Sequence, residues 1–230
     1  MNKSFQDVKA VLLDFGGTLD ADGLTWRQQF FPIYRRLGYR WSKKEFDPLF
    51  YYADDTLTER SLKSVSYDKT IRLQVSLLLK KAGRFSPRSV EKVSRAYLRA
   101  SRAHLRRNIP LLKRLKKKYR LGIVSNFYGN LPVILKSEGY GRLIGAMADS
   151  NRVGSIKPNP DIFLHVLRKL KVSPEESVFV GDSRKRDMRG AKELGMRHIW
   201  VANPKARKLP VCCPGDIVIR SVLELEDILL

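Results

Sequence analysis

The chain has 230 residues, of which 43% are hydrophobic and 30% are charged, a composition typical of a globular protein and not of a disordered chain. No apolar stretch reaches the roughly 20 residues of a membrane-spanning helix, and the first residues lack the apolar core and cleavage site of a signal peptide. We therefore expect a cytoplasmic protein. The formal net charge of +22 favours anionic partners without specifying their kind.

The elements alternate along the chain. A continuous apolar run at 8–15 predicts a buried strand. Helix-period segments follow at 26–37, 43–52, 67–81, 87–106 and 110–118, and then a strand at 121–124 and helices at 130–138 and 160–170. The remaining predicted elements are strands at 178–181, 198–201 and 216–219, with a helix at 187–194. This alternation indicates an α/β fold with a Rossmann-like parallel sheet.

The long helical stretch after the first strand predicts an inserted domain. A connection of this length is far longer than the usual link between strands. We therefore assign 20–107 to an α-helical cap, and 1–19 and 108–230 to the sheet-containing core. The only cysteines, Cys212 and Cys213, are adjacent and match neither a zinc nor a redox spacing, so we expect ordinary thiols.

One predicted cap helix carries a basic face. Its six members are spaced alternately by four and three residues, which places them along one side of a helix: Arg88, Lys92, Arg95, Arg99, Arg102 and Arg106. Such a ridge could contact a phosphate backbone. A solvated surface is the favoured interpretation, because charge runs are usually exposed and no aromatic side chains interleave for base stacking. Nucleic acid is thus a possible partner that we do not favour.

Polar residues stand where the predicted strands end. Asp14 ends the first strand, Ser125 ends the second, and Asp182 ends the strand at 178–181, with Asp187 five residues on. Side chains at the carboxyl ends of parallel strands meet at one edge of the sheet. A carboxylate there can act as a covalent nucleophile for phosphate, Lys157 could neutralise it and the incoming phosphate, and converging carboxylates suit Mg²⁺. Taken singly, each segment could be ordinary loop chemistry, and Asp187 could simply cap the following helix.

Together, these segments resemble a known family. The sequences DFGGTL at 14–19, SN at 125–126, KPNPDIF at 157–163 and GDS at 181–183, followed by Asp187, resemble the four motifs of the haloacid dehalogenase-like superfamily. The subgroup they resemble has a helical cap inserted after the first motif. The resemblance covers nearly the whole chain.

The resemblance implies specific roles. Asp14 would be the nucleophile and a ligand of Mg²⁺, Asp182 a second ligand, Asp187 a support of the metal site, and the backbone carbonyl of Gly16 a further ligand. Lys157 would be catalytic as well as phosphate-binding. The implied phosphate-binding set is Thr18, which would fix the loop, Ser125, Asn126 and Lys157.

The first motif departs from the family at Gly16. The usual phosphatase motif has a second Asp at this position, which protonates the leaving oxygen and later activates water. General acid–base catalysis is typically worth about a hundred- to ten-thousandfold, or roughly 3 to 5 kcal/mol. Three explanations stay open: a substrate with a good leaving group such as an acyl phosphate, a substitute acid at Asp20 or Asp22, or a chain that binds ligands without turnover.

Two groups of relatives also lack this Asp, and their activities are less favoured alternatives for this chain. The 2-haloacid dehalogenases use no metal, but their fourth motif does not resemble the arrangement of Asp182 and Asp187. Phosphonoacetaldehyde hydrolases need a cap lysine, and Lys43, Lys44 and Lys63 lie in no segment that resembles theirs. The leading hypothesis is therefore a Mg²⁺-dependent phosphohydrolase acting on a small phosphorylated metabolite. Its substrate identity and oligomeric state cannot be deduced from the sequence.

Overall fold

Six parallel strands form the central sheet in the part of the chain that the structure describes. The structure, a computed structural model, describes residues 5–60, 62–203 and 217–230, so Cys212 and Cys213 lie outside it. The strands lie in the order β3-β2-β1-β4-β5-β6, and every neighbouring pair is parallel. Their bounds are β1 Ala10–Leu13, β2 Arg120–Ser125, β3 Ala146–Asp149, β4 Ser177–Gly181, β5 Arg197–Val201 and β6 Ile217–Ile219.

The central strand β1 is buried on both faces of the sheet. Val11 and Leu13 pack into one hydrophobic cluster and Ala10 and Leu12 into another, and all four residues are fully buried. Two buried faces explain why this segment is a continuous apolar run and not an alternating one. The predicted α/β Rossmann-like class is confirmed.

The strand β3 is absent from the sequence-based prediction. It consists of the four residues Ala-Met-Ala-Asp and pairs in parallel with β2 at the edge of the sheet. Its short length and small side chains give no strand-like pattern, so tertiary pairing decides its structure. The predicted strand at 216–219 is found as Ile217–Ile219, and residue 216 lies outside the described part of the chain.

Short helices connect the strands of the sheet or, in the case of the last one, follow it. Within the described residues their bounds are α5 Leu131–Ser137, α6 Ser150–Val153, α7 Pro160–Leu170, α8 Arg189–Glu193 and α9 Leu225–Leu229. The amphipathic helix α7 buries Ile162, Phe163 and Val166 against the sheet. No helix among the described residues combines the length and apolarity needed to cross a membrane.

Four longer helices separate β1 from β2. They are α1 Trp26–Arg36, α2 Lys43–Thr58, α3 Tyr67–Lys81 and α4 Pro87–Lys118. Each begins at a hydroxyl cap: Thr25, Ser42, Ser66 and Ser86 accept hydrogen bonds from the first turn of the following helix. Serine and threonine caps of this kind fix where each helix starts.

The prediction of two helices at 87–106 and 110–118 is wrong, because α4 is a single helix of 32 residues that continues through Pro110. Its first half buries Val93 and Tyr97, and its second half buries Leu112 and Leu115. Burial on both sides of the proline outweighs the helix-breaking tendency of that residue. The division of the chain at 19/20 and 107/108 stays a prediction.

Candidate active site

The carboxylate of Asp14 receives three hydrogen-bond donors at the end of β1. Its Oδ1 accepts from the backbone N–H of Phe15 at 2.7 Å, from Ser125 Oγ at 2.7 Å and from Lys157 Nζ at 2.8 Å. The strand register explains this meeting, because Leu13 pairs with Ile123 of β2, two residues before Ser125. The site therefore lies at the carboxyl edge of the sheet, as predicted for such folds.

Lys157 links two carboxylates. Its Nζ lies 2.8 Å from Asp14 Oδ1 and 2.7 Å from Asp187 Oδ1, and the residue is buried. Burial alone would lower the pKa of this lysine, but the charges of Asp14 and Asp187 outweigh burial and the net effect is a raised pKa. The ammonium group is therefore charged at neutral pH.

Three carboxylates converge beside this lysine. One oxygen each of Asp14, Asp182 and Asp187 lies within 4.8 Å of the other two; Asp14 and Asp187 are buried and Asp182 is partly buried. Burial raises the pKa of Asp182 well above its usual range, and repulsion from Asp187 and Asp14 raises it further. Burial also raises the pKa of Asp187, although Lys157 opposes this. Hard oxygen donors that repel one another in this way fit a divalent cation such as Mg²⁺.

Two glycines allow the carboxylates to approach the backbone. Gly17 has a φ of +92°, and a Cβ there would lie 2.7 Å from the carboxyl carbon of Asp182. A Cβ at Gly181 would lie 2.5 Å from Asp187 Oδ2. A side chain at residue 17 would displace the carboxylate of Asp182, and one at residue 181 would displace that of Asp187. The site therefore requires glycine at both positions.

Thr18 and Asn126 make positioning contacts. The fully buried Thr18 hydroxyl donates to Asp182 Oδ1 at 3.4 Å. The Asn126 amide makes two hydrogen bonds with the backbone of Lys157. Its Oδ1 accepts from Lys157 N at 2.8 Å, and its Nδ2 donates to Lys157 O at 3.2 Å. Both side chains therefore hold other site residues in place. The direct phosphate contacts predicted for them stay predictions.

Most of the chain matches a known protein family. A family model described as haloacid dehalogenase-like hydrolase matches residues 8–195, which is most of the chain. The chain belongs to this family. The resemblance inferred from the four short motifs is thus confirmed.

Individual relatives match over shorter stretches. The chain is 36% identical over 90 residues to bovine haloacid dehalogenase-like hydrolase domain-containing protein 3, which covers 39% of this chain and 36% of that protein. It is 45% identical over 56 residues to glyceraldehyde 3-phosphate phosphatase of Methanopyrus kandleri, which covers 24% of each. These matches span about a third or less of the relatives' length. The crystal structure of a HAD phosphatase from Thermococcus onnurineus is 28% identical, with a TM-score of 0.55 and coverage of 96% of this chain and 98% of that chain.

Neither Asp20 nor Asp22, the two candidate substitute acids, lines the site of this haloacid dehalogenase-like hydrolase. Asp20 is fully buried and accepts hydrogen bonds from Gly17 N at 2.6 Å, Trp26 Nε1 at 2.6 Å and Tyr97 Oη at 3.1 Å. Burial raises the pKa of Asp20 to about 7, although these hydrogen bonds lower it. Asp22 forms an ion pair with Arg107 at 2.8 Å. Neither carboxylate is among the residues that line the cavity above Asp14.

That cavity has a volume of about 230 Å³ and an aromatic wall. The aromatic residues that line it are Trp26, Phe50, Tyr51, Phe127 and Tyr128, and the charged residues outside the carboxylate cluster and Lys157 are Arg27, Asp54 and Arg186. The sequence patterns did not predict this wall. Trp26 had only the helical spacing of a core residue. Phe127 and Tyr128 could have been predicted to line the site, because they directly follow the predicted motif Ser125-Asn126.

Proposed function

We propose that this hydrolase is a Mg²⁺-dependent phosphohydrolase that acts on a small phosphorylated metabolite through an aspartyl-phosphate intermediate. The observation that carries the proposal is the position of Asp14: one of its oxygens is bound by Ser125 and Lys157, and two further carboxylates lie within 4.8 Å. A nucleophile, phosphate-binding donors and metal-ligating oxygens in one cavity are the requirements of phosphoryl transfer. The partial similarity to a glyceraldehyde 3-phosphate phosphatase supports the same reaction class.

The residues that would hold Mg²⁺ are Asp14, Asp182, Asp187 and the backbone carbonyl of Gly16. The bound ion would neutralise the carboxylates and polarise the phosphoryl oxygens. Burial first, and then repulsion from Asp187 and Asp14, raises the pKa of Asp182; a cation would relieve this repulsion, which supports the assignment.

The side chains of the site supply the rest of the reaction. The Asp14 carboxylate attacks phosphorus, the bond to the leaving oxygen breaks, and the aspartyl phosphate is then hydrolysed by water. Ser125 Oγ and Lys157 Nζ already lie 2.7 and 2.8 Å from the attacking carboxylate. They can therefore donate to phosphoryl oxygens placed beside Asp14 and stabilise the charge that develops there. Asn126, which holds the backbone of Lys157, keeps that ammonium in position.

The test is a panel of phosphorylated metabolites assayed with Mg²⁺ and with EDTA. We expect turnover that requires Mg²⁺ and falls to background in Asp14→Asn, because the amide cannot act as the nucleophile. Asp161→Asn is the matched control, because Asp161 is an exposed residue in the first turn of α7. This variant should retain full activity. Undiminished activity in Asp14→Asn would refute the nucleophile assignment.

A second candidate is a catalytically weak binding protein, and the absence of a carboxyl side chain at residue 16 favours it. In that case, Mg²⁺ and a phosphate mimic would bind in calorimetry, but no phosphorylated compound would be hydrolysed. The metabolite panel thus separates the two candidates. The expected cytosolic location stays a prediction under either.

A further inference from the structure

The indole of Trp26 fills the space beside Gly16. A Cβ built on Gly16 would lie 3.3 Å from Trp26 Nε1, closer than most real Cβ contacts, and 3.7 Å from Trp26 Cδ1, an ordinary van der Waals distance. Both residues line the cavity above Asp14. The face of the nucleophile loop from which a side chain at residue 16 would project is therefore covered by an aromatic ring.

This ring is held by a buried network. Its Nε1 donates to Asp20 Oδ2 at 2.6 Å, and Tyr97 Oη donates to the same oxygen at 3.1 Å. The indole also packs edge-on against Phe127, with ring centroids 5.6 Å apart, and lies 6.0 Å from the ring of Tyr128. A hydrogen bond and ring packing therefore hold the indole in the cavity wall.

Among the residues that the structure describes, four carboxylates line the cavity. Asp14, Asp182 and Asp187 form the carboxylate cluster with Lys157. Asp54, the fourth carboxylate in the wall, accepts a hydrogen bond from the Tyr128 hydroxyl, and burial raises its pKa. Asp54 belongs to α2 and not to the loop that follows Asp14, so no carboxyl group stands at residue 16 to protonate a leaving oxygen.

We propose that this site acts on aryl phosphates, monoesters whose leaving group is a phenol. The inference rests on the proposed phosphohydrolase function and specifies its substrate class. Without a carboxyl group at residue 16, a contribution of about a hundred- to ten-thousandfold from general acid catalysis is missing, and a leaving group that departs as an anion is favoured. A phenol with a pKa of about 10, like that of tyrosine, is a far better anionic leaving group than an alkanol.

The shape of the cavity favours a ring over other activated leaving groups. Trp26, Phe127 and Tyr128 present aromatic surfaces that stack with or pack edge-on against a planar substituent. A cavity of about 150 Å³ is enough for a benzene-sized molecule, and the 230 Å³ available here suits a phosphoryl group bearing one ring. An acyl phosphate would also need no acid, but it would leave these aromatic surfaces without a partner.

The reaction balances without a further reactant. An Asp14 carboxylate oxygen forms a bond to phosphorus, and the bond from phosphorus to the ring oxygen breaks. The phenolate takes the bonding electron pair and later a proton from water. Water then attacks the phosphorus of the aspartyl phosphate, whose leaving group is a carboxylate that needs no protonation. Inorganic phosphate is released, and the proton of the attacking water passes to phosphate or solvent.

The experiment compares kcat/KM for three kinds of substrate with Mg²⁺ present. Ring-substituted phenyl phosphates vary the acidity of the phenol, benzyl phosphate retains the ring but has an alkanol leaving group, and acetyl phosphate is activated but has no ring. We expect phenyl phosphate to exceed benzyl phosphate by at least about a hundredfold and also to exceed acetyl phosphate. The rate should fall steeply as the pKa of the phenol rises.

A binding measurement isolates the contribution of the wall. Phenylphosphonate, which cannot be hydrolysed, should bind more tightly than methylphosphonate in calorimetry. Trp26→Leu should weaken the binding of phenylphosphonate by about three- to tenfold, the usual range for an aromatic contact. The binding affinity for methylphosphonate should be unchanged. Trp26→Phe retains a ring and should recover most of the loss, while circular dichroism confirms that both variants fold.

Four outcomes would overturn the proposal: similar rates for phenyl and benzyl phosphate, a preference for acetyl phosphate, equal binding of the two phosphonates, or loss of phenyl phosphate turnover in Asp54→Asn, which would identify Asp54 as the acid. In each of these cases an Asp14-dependent phosphatase could still exist. If no compound were hydrolysed in an Asp14-dependent manner, the proposed function itself would fail, and the substrate class with it.

Discussion

At the scale of single residues, the sequence indicated the cluster but not its surroundings. Asp14, Asp182 and Lys157 were identifiable because strand ends and a Lys-Pro-Asn-Pro loop have recognisable patterns, and the structure brings them together. The importance of Trp26 was not predictable, because it depends on the contacts of its indole with Asp20 and with the space beside Gly16. Neighbours of that kind are fixed only by tertiary packing.

Restoring a carboxylate at residue 16 tests this packing directly. We expect Gly16→Asp alone to give little gain toward benzyl phosphate, because the indole of Trp26 lies 3.3 Å from the Cβ position. The double variant Gly16→Asp with Trp26→Leu removes the obstruction and should gain at least about tenfold over Trp26→Leu alone. Steady-state kinetics decides the matter, and a large gain in the single variant would show that the indole does not block the position.

Asp20 should make stability depend on pH. Its pKa is raised from 3.8 to about 7 in the folded chain, so the unfolded chain loses this proton first as the pH rises. The contribution of Asp20 to stability is therefore fully present below about pH 4 and lost as the pH rises to about 7. Relative to Asp20→Asn, the unfolding free energy of the wild-type protein should fall by a few kcal/mol across this interval.

Urea unfolding of both proteins at several pH values measures this difference. The asparagine side chain does not titrate in this pH range, so the Asn variant is the reference that accounts for all other titrating groups. A difference in unfolding free energy that stayed constant between pH 4 and 8 would contradict the raised pKa of the buried Asp20.

At the scale of elements, the positions of the helices were predictable from hydroxyl caps and apolar spacing, but the length of α4 was not. Pro110 indicated a break between 106 and 110, and the structure has one helix from Pro87 to Lys118. Leu112 and Leu115 are buried beyond the proline. Packing of this second half supplies the free energy that local propensity lacks, and a local pattern cannot report it.

Removing the internal proline should stabilise α4. Pro110 is exposed and lies inside the helix, where proline lacks a hydrogen-bond donor and costs about 3 kcal/mol. We expect Pro110→Ala to raise the unfolding free energy by about 1 to 3 kcal/mol in urea titrations. Pro87→Ala is the matched control, because proline is favourable at the first helical position and its removal should give no gain.

The basic face of α4 is partly neutralised by neighbouring acids. Arg102 pairs with Asp68 and Glu138, and Arg95 pairs with Glu91. These ion pairs favour a structural, solvated surface. Nucleic-acid binding nevertheless stays a hypothesis.

A heparin column tests that hypothesis. We expect Arg88→Gln with Lys92→Gln to elute at nearly the salt concentration of the wild-type protein, because retention would reflect the overall net charge of +22 and not this face. A large shift of the elution point toward lower salt in this variant would instead identify the face as a polyanion-binding surface.

At the scale of the whole molecule, the alternation of apolar runs and helix-period segments was sufficient for the fold class. The central strand β1 was the clearest case, because burial on both faces produces a continuous apolar run. The edge strand β3 could not be found, since a four-residue segment with two alanines becomes a strand only by pairing with β2. Where the core ends and the cap begins stays a prediction, because α4 runs without interruption across the expected boundary.

The central claim is that Asp14 attacks phosphorus beside a divalent ion held by carboxylates from distant parts of the chain. A crystal structure of the protein with Mg²⁺ and beryllium fluoride, a mimic of the phosphoryl group, tests this most directly. We expect the fluoride complex on the Asp14 carboxylate, within reach of Ser125 and Lys157, and the metal ion between Asp14, Asp182 and Asp187. A free Asp14 carboxylate, with the metal ion bound elsewhere, would contradict it.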